Sequence, residues 1–199
     1  RYATKAIGAR TGDWRTDAPN CASKDLLTYN LYNAAGLKIA TIDACGYLTE
    51  YRYDGRGSVC ETRAYATRLP WSVSVDEDTT LESIRPQSHP NDHVTHYRYN
   101  DLNQLIEEKT PEGLVITYAY DEQGWVVSQT RTDCQTHEAR QVRTRYDALG
   151  RVIQRLDELG AALLQQHESL TLQDIETIWQ EHSVRYSYDT AGRLLTKTN

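Results

Sequence analysis

The sequence predicts an all-β fold made of repeated antiparallel β-hairpins. Three observations lead to this fold class: a Tyr-Asp-x-x-Gly motif recurs along the chain, the residues before each motif alternate between two faces, and turn-forming residues return at short intervals. A ribbon of such hairpins can bury a face only against another element, and native strand twist bends it. We therefore expect a twisted, curved strip with one short inserted helix.

Six copies of the motif carry the repeat. Complete copies begin at Tyr53, Tyr120, Tyr146 and Tyr188, whereas the looser copies at Tyr32 and Tyr99 have Asn in place of Asp. Successive motif tyrosines lie 21, 46, 21, 26 and 42 residues apart, which indicates a 21-residue unit with insertions. The predicted turn and wall positions are Tyr32, Asn33, Gly36, Tyr53, Asp54, Gly57, Tyr99, Asn100, Asn103, Tyr118, Tyr120, Asp121, Gly124, Tyr146, Asp147, Gly150, Arg151, Tyr186, Tyr188, Asp189, Gly192 and Arg193.

The stretch from Val115 to Gln129 illustrates one predicted hairpin. Its residues alternate with the period of two that is typical of a strand, so Tyr118 and Tyr120 share a face. We expect Asp121 to accept a hydrogen bond from the backbone amide two residues later, and Gly124 to adopt the positive φ that closes the turn. Further turn signals over 43–46, 111–113 and 157–160 join the hairpins, so that strand follows strand in a meander.

The repeat pattern divides the chain into six predicted segments. They are an irregular, cap-like segment over 1–28, hairpins over 29–68, a loop insertion over 69–95, hairpins over 96–166, an inserted short helix over 167–183 and the start of a final repeat over 184–199. In the loop insertion, the acidic run 76–78 predicts one helical turn over 79–84. In the second insertion, Thr171 followed by Asp174 is typical of a helix cap, and apolar residues follow at helical spacing.

Composition and charge exclude several classes of protein. The net charge is -6 and the arginines are scattered among carboxylates, which argues against a nucleic-acid partner. No run of about 20 apolar residues occurs, so we expect no membrane insertion. The chain begins at Arg1 and contains no Met, and we therefore expect it to be a piece of a longer protein.

Candidate catalytic and metal-binding residues are few, and none forms a convincing set. His89, His93 and His96 are interrupted by a proline, and the acidic run 76–78 lacks the alternating ligands of a calcium loop. Cys134 and His137 lie in a polar hairpin tip without a third group to orient the imidazole. The repeated Asp residues are explained as acceptors for turn amides. We predict no enzyme activity, no catalytic residue, no metal and no cofactor.

The aromatic residues leave two interpretations open. The chain has 14 Tyr and 4 Trp but no Phe, so every aromatic ring carries a polar group. Rows of such rings can pack the wall of a sheet, which is the interpretation we favour. They can also stack on sugars, because pyranose rings have apolar faces. The four cysteines, with no CxxC pair, do not establish a disulfide pattern.

The segments from Tyr186 to Leu194 and from Thr144 to Val152 resemble the YD repeat of the Rhs family. The resemblance extends from Leu27 to Asn199. It implies an internal segment of a repeat region that winds into a hollow β-shell around a C-terminal toxin, or that forms surface and adhesion modules. The shells of this family are commonly closed by an aspartyl protease segment containing Asp-Pro. This sequence has no Asp-Pro dipeptide, so we predict no protease here.

The resemblance also implies a function. We expect a non-catalytic structural segment of a large Rhs protein, secreted or on the bacterial cell surface, which forms wall of a β-shell that encloses or presents a toxin or effector domain. Its implied partners are the flanking repeats and an enclosed or C-terminal effector domain of the same polypeptide. The alternative is a carbohydrate-binding adhesion module of the cell surface, with glycans as partners of exposed Tyr and Trp.

Overall fold

A computed structural model describes residues 5–6, 28–70, 73, 75–76, 78–166 and 169–199 of the chain. Apart from Lys5, Ala6 and Thr28, the predicted cap-like segment over 1–28 lies outside the described residues. The strands are β1 Lys5–Ala6, β2 Tyr29–Tyr32, β3 Lys38–Ile42, β4 Leu48–Tyr53, β5 Val59–Ala64, β6 His93–Tyr99, β7 Leu105–Lys109, β8 Leu114–Tyr120, β9 Val126–Asp133, β10 Ala139–Tyr146, β11 Val152–Leu156, β12 Ser183–Tyr188 and β13 Leu194–Thr198. The helices are α1 Leu81–Ile84, α2 Glu158–Gln166 and α3 Leu172–His182.

The chain divides into two compact units, Arg1–Tyr97 and Arg98–Asn199. In the first unit, β1 to β6 pair antiparallel in chain order. In the second unit, β7 to β13 do the same. The predicted all-β class of repeated antiparallel hairpins is confirmed, because within each unit every described strand pairs antiparallel with the next one in the chain.

Residues of the first unit bury one face of their strands under the loop insertion. Leu31 and Leu48 are fully buried on β2 and β4, and Leu69, Leu81 and Ile84 of the insertion pack against them. Because side chains alternate along a strand, Leu31 and Leu48 face away from the neighbouring Tyr32 and Thr49. The insertion therefore covers the face opposite the motif tyrosine Tyr32.

In the second unit, two helices cover one face of the strands. Leu156 of β11 is fully buried and packs with Ala161 of α2 and Trp179 of α3. Arg145 of β10 lies over the Trp179 ring at 4.2 Å and pairs with Glu176 of α3 at 2.8 Å. Arg145 is adjacent to Tyr146 in sequence and so lies on the opposite face. In this unit too, the inserted segment covers the face that lacks the motif tyrosines.

Helix α2 corrects the interpretation of residues 157–160 as a turn between hairpins. Asp157 instead precedes a helix, and its Oδ1 accepts a hydrogen bond from the backbone N–H of Gly160 at 2.7 Å. A Cβ at Gly160 would come within 2.6 Å of His182 and 2.7 Å of Leu156, so glycine is required here for close packing rather than for a turn. Among the described residues, α2 is therefore additional to the helical turn over 79–84 and the one inserted helix that were expected.

The other two helices lie where the sequence placed helical structure. Helix α1 begins after Thr80, whose side chain accepts from the Ser83 amide. Helix α3 has a reciprocal capping box, since the Thr171 hydroxyl accepts from the Asp174 amide and the Asp174 carboxylate accepts from the Thr171 amide. Among the described residues, no helix has the length and apolar character needed to cross a bilayer.

Candidate functional site

The side chain of the motif Asp or Asn organises each turn. Asp121 Oδ1 accepts hydrogen bonds from the backbone N–H groups of Gln123 at 3.1 Å and Trp125 at 2.8 Å. The Asp121 carbonyl accepts from the Gly124 amide, and the Asp121 amide donates to the Trp125 carbonyl. The same pair of side-chain bonds recurs at Asn33, Asp54, Asn100, Asp147 and Asp189. This acceptor role is shared by Asp and Asn, so the turn does not need a proton-transferring group.

The fifth motif position has a left-handed backbone. Gly57 has φ +84° and Gly192 has φ +80°, and Asn103 takes the same position in the Tyr99 copy with φ +60°. The left-handed conformation costs an L-residue roughly 1–2 kcal/mol of conformational energy, and Asn tolerates it better than most residues. The local chain reversal therefore follows from the last motif residue.

One turn of this kind lacks a motif tyrosine and was classed only as a joining turn. Asp43 Oδ1 accepts from the amides of Cys45 at 2.9 Å and Tyr47 at 2.8 Å, and Gly46 has φ +84°. The residue before Asp43 is Ile42 rather than Tyr. Its hydrogen bonds equal those of the motif turns, and the Asp-x-x-Gly spacing alone was the signal that could have identified it.

Two motif carboxylates are also held by the arginine that follows the turn glycine. Asp147 Oδ2 lies 2.6 Å from Arg151 Nη2, and Asp189 Oδ2 lies 2.7 Å from Arg193 Nε. The Arg151 guanidinium and backbone amide lower the pKa of Asp147. The Arg193 backbone amide and guanidinium lower the pKa of Asp189. Both carboxylates are ionised at neutral pH and are poor general acids or bases there.

The motif tyrosines form a ladder that links one repeat to the previous one. Four of the six motif hydroxyls donate to the backbone carbonyl of the residue that lies two positions after the turn-closing Gly or Asn of the preceding copy. The four bonds are Tyr53 to Lys38 at 2.7 Å, Tyr120 to Leu105 at 2.7 Å, Tyr146 to Val126 at 2.9 Å and Tyr188 to Val152 at 2.8 Å. Burial raises the pKa of Tyr53, Tyr120 and Tyr146, so these hydroxyls keep the proton that they donate.

Trp125 and Arg151 add a second link between neighbouring copies. The Trp125 ring lies 5.4 Å from the Tyr146 ring, and a Cβ at Gly150 would approach it within 3.0 Å. Arg151, which holds Asp147, also places its guanidinium 4.9 Å from the centre of the Tyr188 ring. These side chains join the turn of one copy to the tyrosine of the next.

A shallow groove of about 380 Å³ lies on the tyrosine face of the second unit. It crosses β9, β10, β11 and β12. Val126, Val142 and Val152 supply its aliphatic lining, and Tyr146 and Tyr186 supply aromatic rings. Gln129, Thr144 and Arg155 add polar groups. Both tyrosines were predicted as wall positions, whereas the groove has no signal in the sequence.

A buried carboxylate in the first unit was missed at the sequence level. Glu50 is only 3% exposed, and it accepts hydrogen bonds from the Tyr65 hydroxyl at 2.7 Å and from Arg85 Nε and Nη2 at 3.1 Å each. Burial alone would raise the pKa of Glu50, but the bonds from Tyr65 and Arg85 hold it below its ordinary value. Burial and the bond to Glu50 raise the pKa of Tyr65 to about 12. Because Arg85 follows α1, this network fastens the loop insertion to β4.

The histidines and cysteines singled out in the sequence have separate surroundings. The His89 Nδ1 accepts from the Asn91 amide, whereas His96 Nδ1 lies 3.7 Å from Glu61. Cys134 is exposed with a free thiol, and His137 occupies a turn with φ +59°. Among the described residues, no three His, Cys, Asp or Glu side chains converge on a common point where a metal could bind.

Asp76 of the acidic run holds a local turn, and two further cysteines differ in their bonding state. Asp76 Oδ1 accepts from the Thr79 hydroxyl at 2.8 Å and the Asp78 amide at 3.2 Å. Cys60 is free, and Cys45 is disulfide-bonded. The turn around residue 76 is therefore held by its own hydroxyl and amide donors.

Part of the chain matches a known protein family. Residues 99–133, which contain the motif copies at Tyr99 and Tyr120, match a family model described as RHS Repeat. This segment is similar to an RHS repeat. The resemblance to the Rhs family predicted from the sequence is confirmed, and the turn geometry of the matched segment recurs at Asp54, Asp147 and Asp189, outside the matched residues. No curated protein matches the sequence.

Solved structures share the fold of this chain. A crystal structure of TcdB2-TccC3-Cdc42 superimposes with a TM-score of 0.55 and 16% identity over 92% of this chain. A Photorhabdus luminescens Tc holotoxin pore with a TccC3 variant gives a TM-score of 0.56 and 15% identity over 98%. A TcdB2-TccC3 crystal structure gives the same three values. The present chain spans 8% of the length of each of these proteins.

Proposed function

We propose that this chain is a non-catalytic structural segment of a large RHS-repeat protein, within the repeat region, and that it forms part of the wall of a β-shell. The shell encloses or presents a toxin or effector domain of the same polypeptide. We further propose that each of the six segments predicted from the repeat pattern forms a distinct part of this wall.

The tyrosine ladder is the single observation that carries this proposal. Four motif tyrosines donate their hydroxyl to the backbone of the preceding copy, as Tyr146 does to the Val126 carbonyl at 2.9 Å. Such a bond extends the wall by one hairpin at a time and fixes the angle between neighbours. Its donor and acceptor both belong to the repeat, so it supports a role in assembly rather than in chemistry.

The state of the charged groups supports a non-catalytic role. Catalysis by acid or base needs a group whose pKa lies near the working pH. The carboxylates of Asp147 and Glu50 have lowered pKa values, and each is held by an arginine. They act as fixed acceptors that order a turn and an insertion.

The likeness to Tc toxin proteins supports the proposed partners and location. One matching structure is a TcdB2-TccC3 complex, and another is a Tc holotoxin pore with a TccC3 variant. By analogy, we propose that flanking repeats and an effector domain are the partners of this segment. We place the parent protein outside the cell or on the bacterial surface.

Sequencing the parent gene on both sides of this stretch tests the proposal. We expect many further repeats that lead to an unrelated C-terminal domain, and we expect that domain to resist protease in the intact protein and to be digested once the repeats are unfolded. Flanks made of adhesion domains or a membrane anchor, with no such cargo, would contradict the shell.

Glycan binding is the second candidate function, and the groove on the tyrosine face favours it. Tyr186 and Tyr146 line a concave surface together with Thr144 and Gln129. Aromatic rings beside hydroxyl and amide groups suit a sugar, whose ring has both apolar faces and polar edges. A glycan array probed with this chain should then give reproducible hits, whereas an empty array would remove this candidate.

A further inference from the structure

The groove of the second unit contains an arginine without a counter-charge. Arg155 lines the groove from β11, and its cross-strand neighbours on this face, Thr144 and Val184, are uncharged. Within the described part of the chain, no carboxylate lies at ion-pair distance from its guanidinium. By contrast, Arg145 and Arg151 are paired at 2.8 and 2.6 Å. The groove therefore offers a positive charge in a chain whose net charge is -6.

The rings and aliphatic groups of the groove provide a surface for a flat, partly apolar ligand. The hydroxyl of Tyr146 is committed to the Val126 carbonyl, so its ring is the part that faces a ligand. Tyr186 lies on β12, two strands from Tyr146 on β10, and Val152 lines the groove from the intervening β11. A saccharide ring stacks on such surfaces through its C–H groups.

The size and the polar groups narrow the class of ligand. The volume of about 380 Å³ falls at the lower end of the range of small-molecule pockets, about 300–1,000 Å³. Thr144 and Gln129 can both donate and accept hydrogen bonds. A guanidinium binds a carboxylate through two parallel hydrogen bonds better than it binds a neutral hydroxyl.

We propose that this groove binds a carboxylated saccharide, with the carboxylate on Arg155 and a sugar ring on Tyr186. The inference rests on the second candidate function and adds the location of the site and the charge of its ligand. It also explains why a cation stands among aliphatic and aromatic side chains at this point of the face.

Calorimetric titration of the 199-residue chain tests the site with two probes of similar length. One is a hyaluronan hexasaccharide, which carries glucuronate carboxylates, and the other is a neutral chitohexaose. We expect binding of the hyaluronan probe that weakens as salt rises, and markedly weaker binding of the neutral probe. The Arg155→Gln variant should bind hyaluronan about tenfold or more weakly, because it loses a charge-assisted hydrogen bond.

A matched variant separates this site from general electrostatic attraction. Arg185 is exposed on β12, one residue from Tyr186 and hence on the opposite face, and Arg185→Gln removes the same charge. Its affinity for hyaluronan should equal that of the unmodified chain. The Arg155→Lys variant keeps the charge without the two-bond geometry and should give an intermediate affinity, which keeps the test informative if Arg155→Gln folds poorly.

Each outcome decides a different point. Equal binding of both probes, with no effect of Arg155→Gln, would contradict the anionic site and leave glycan binding as such intact. Equal losses in Arg155→Gln and Arg185→Gln would also overturn the site, since the attraction would then be diffuse. Absence of hyaluronan binding would overturn this inference, and the glycan array would then decide separately whether the second candidate function survives.

Discussion

Removing single hydroxyls from the tyrosine ladder tests the link between repeats. The Tyr120→Phe and Tyr188→Phe variants keep the ring and lose one bond each, at 2.7 and 2.8 Å. A neutral intramolecular hydrogen bond contributes about 0.5–1.5 kcal/mol, so we expect each variant to lose about 1 kcal/mol of unfolding free energy. The two tyrosines lie on β8 and β12 of the second unit, four strands or about 19 Å apart. Their effects should therefore add to about 2 kcal/mol in the double variant.

Urea unfolding followed by circular dichroism measures these changes in unfolding free energy. In a thermal melt, each variant should lower the melting temperature by about 2–4 °C. Tyr186→Phe is the matched control, since this residue shares β12 with Tyr188 and its hydroxyl makes no hydrogen bond within the described residues. Its stability should change by less than about 0.5 kcal/mol, the range expected of a substitution at an uninvolved surface site. Ladder variants that lose no more than Tyr186→Phe would refute the reasoning.

Three further perturbations test the turns and the insertion. In the Tyr53 copy, Gly57→Ala should cost about 1 kcal/mol or more, because Gly57 has φ +84° and open space around it. Gly55→Ala in the same turn, also with open space but no positive φ, should be neutral or slightly stabilising, and equal melting temperatures would count against the turn assignment. Glu50→Gln should cost about 1.5–3 kcal/mol by removing the charge from a buried hydrogen-bonded network, and an unchanged urea midpoint would argue against that network. Asp147 has a lowered pKa in the fold, so its contribution is present above the unfolded value of about 3.9 and is lost as pH falls through the lower pKa of the folded state. Asp147→Asn should therefore reduce stability at pH 7, and its difference from the parent chain should shrink as the carboxylate of the parent is protonated at acid pH, whereas a difference that does not change with pH would contradict the assigned role of the carboxylate.

The turns were predictable because their determinants are local. An acceptor such as Asp121 and a glycine such as Gly124 lie three residues apart, and together they specify the reversal without help from the rest of the chain. The capped helix α3 was predictable for the same reason, since Thr171 and Asp174 form its cap. In both cases, the sequence contains donor and acceptor within one turn of chain.

Contacts between distant residues were not predictable in the same way. The bond from Tyr188 to the Val152 carbonyl spans 36 residues, and the carbonyl leaves no mark in the sequence. The network between Glu50 and Arg85 spans 35 residues and depends on how the loop insertion folds back. Gly160 was misread because a glycine needed for close packing looks like a glycine needed for a turn.

Electron cryomicroscopy of the parent polypeptide tests the central claim most directly. The account predicts that this segment lies in the wall of a closed β-shell, that the hairpin beside β13 places a tyrosine hydroxyl on the Leu194 carbonyl, and that a separate domain lies inside or against the shell. Leu194 holds the position that Lys38 and Val126 hold in earlier copies. A segment that projects as an isolated module, with no neighbouring hairpin and no enclosed domain, would contradict the account.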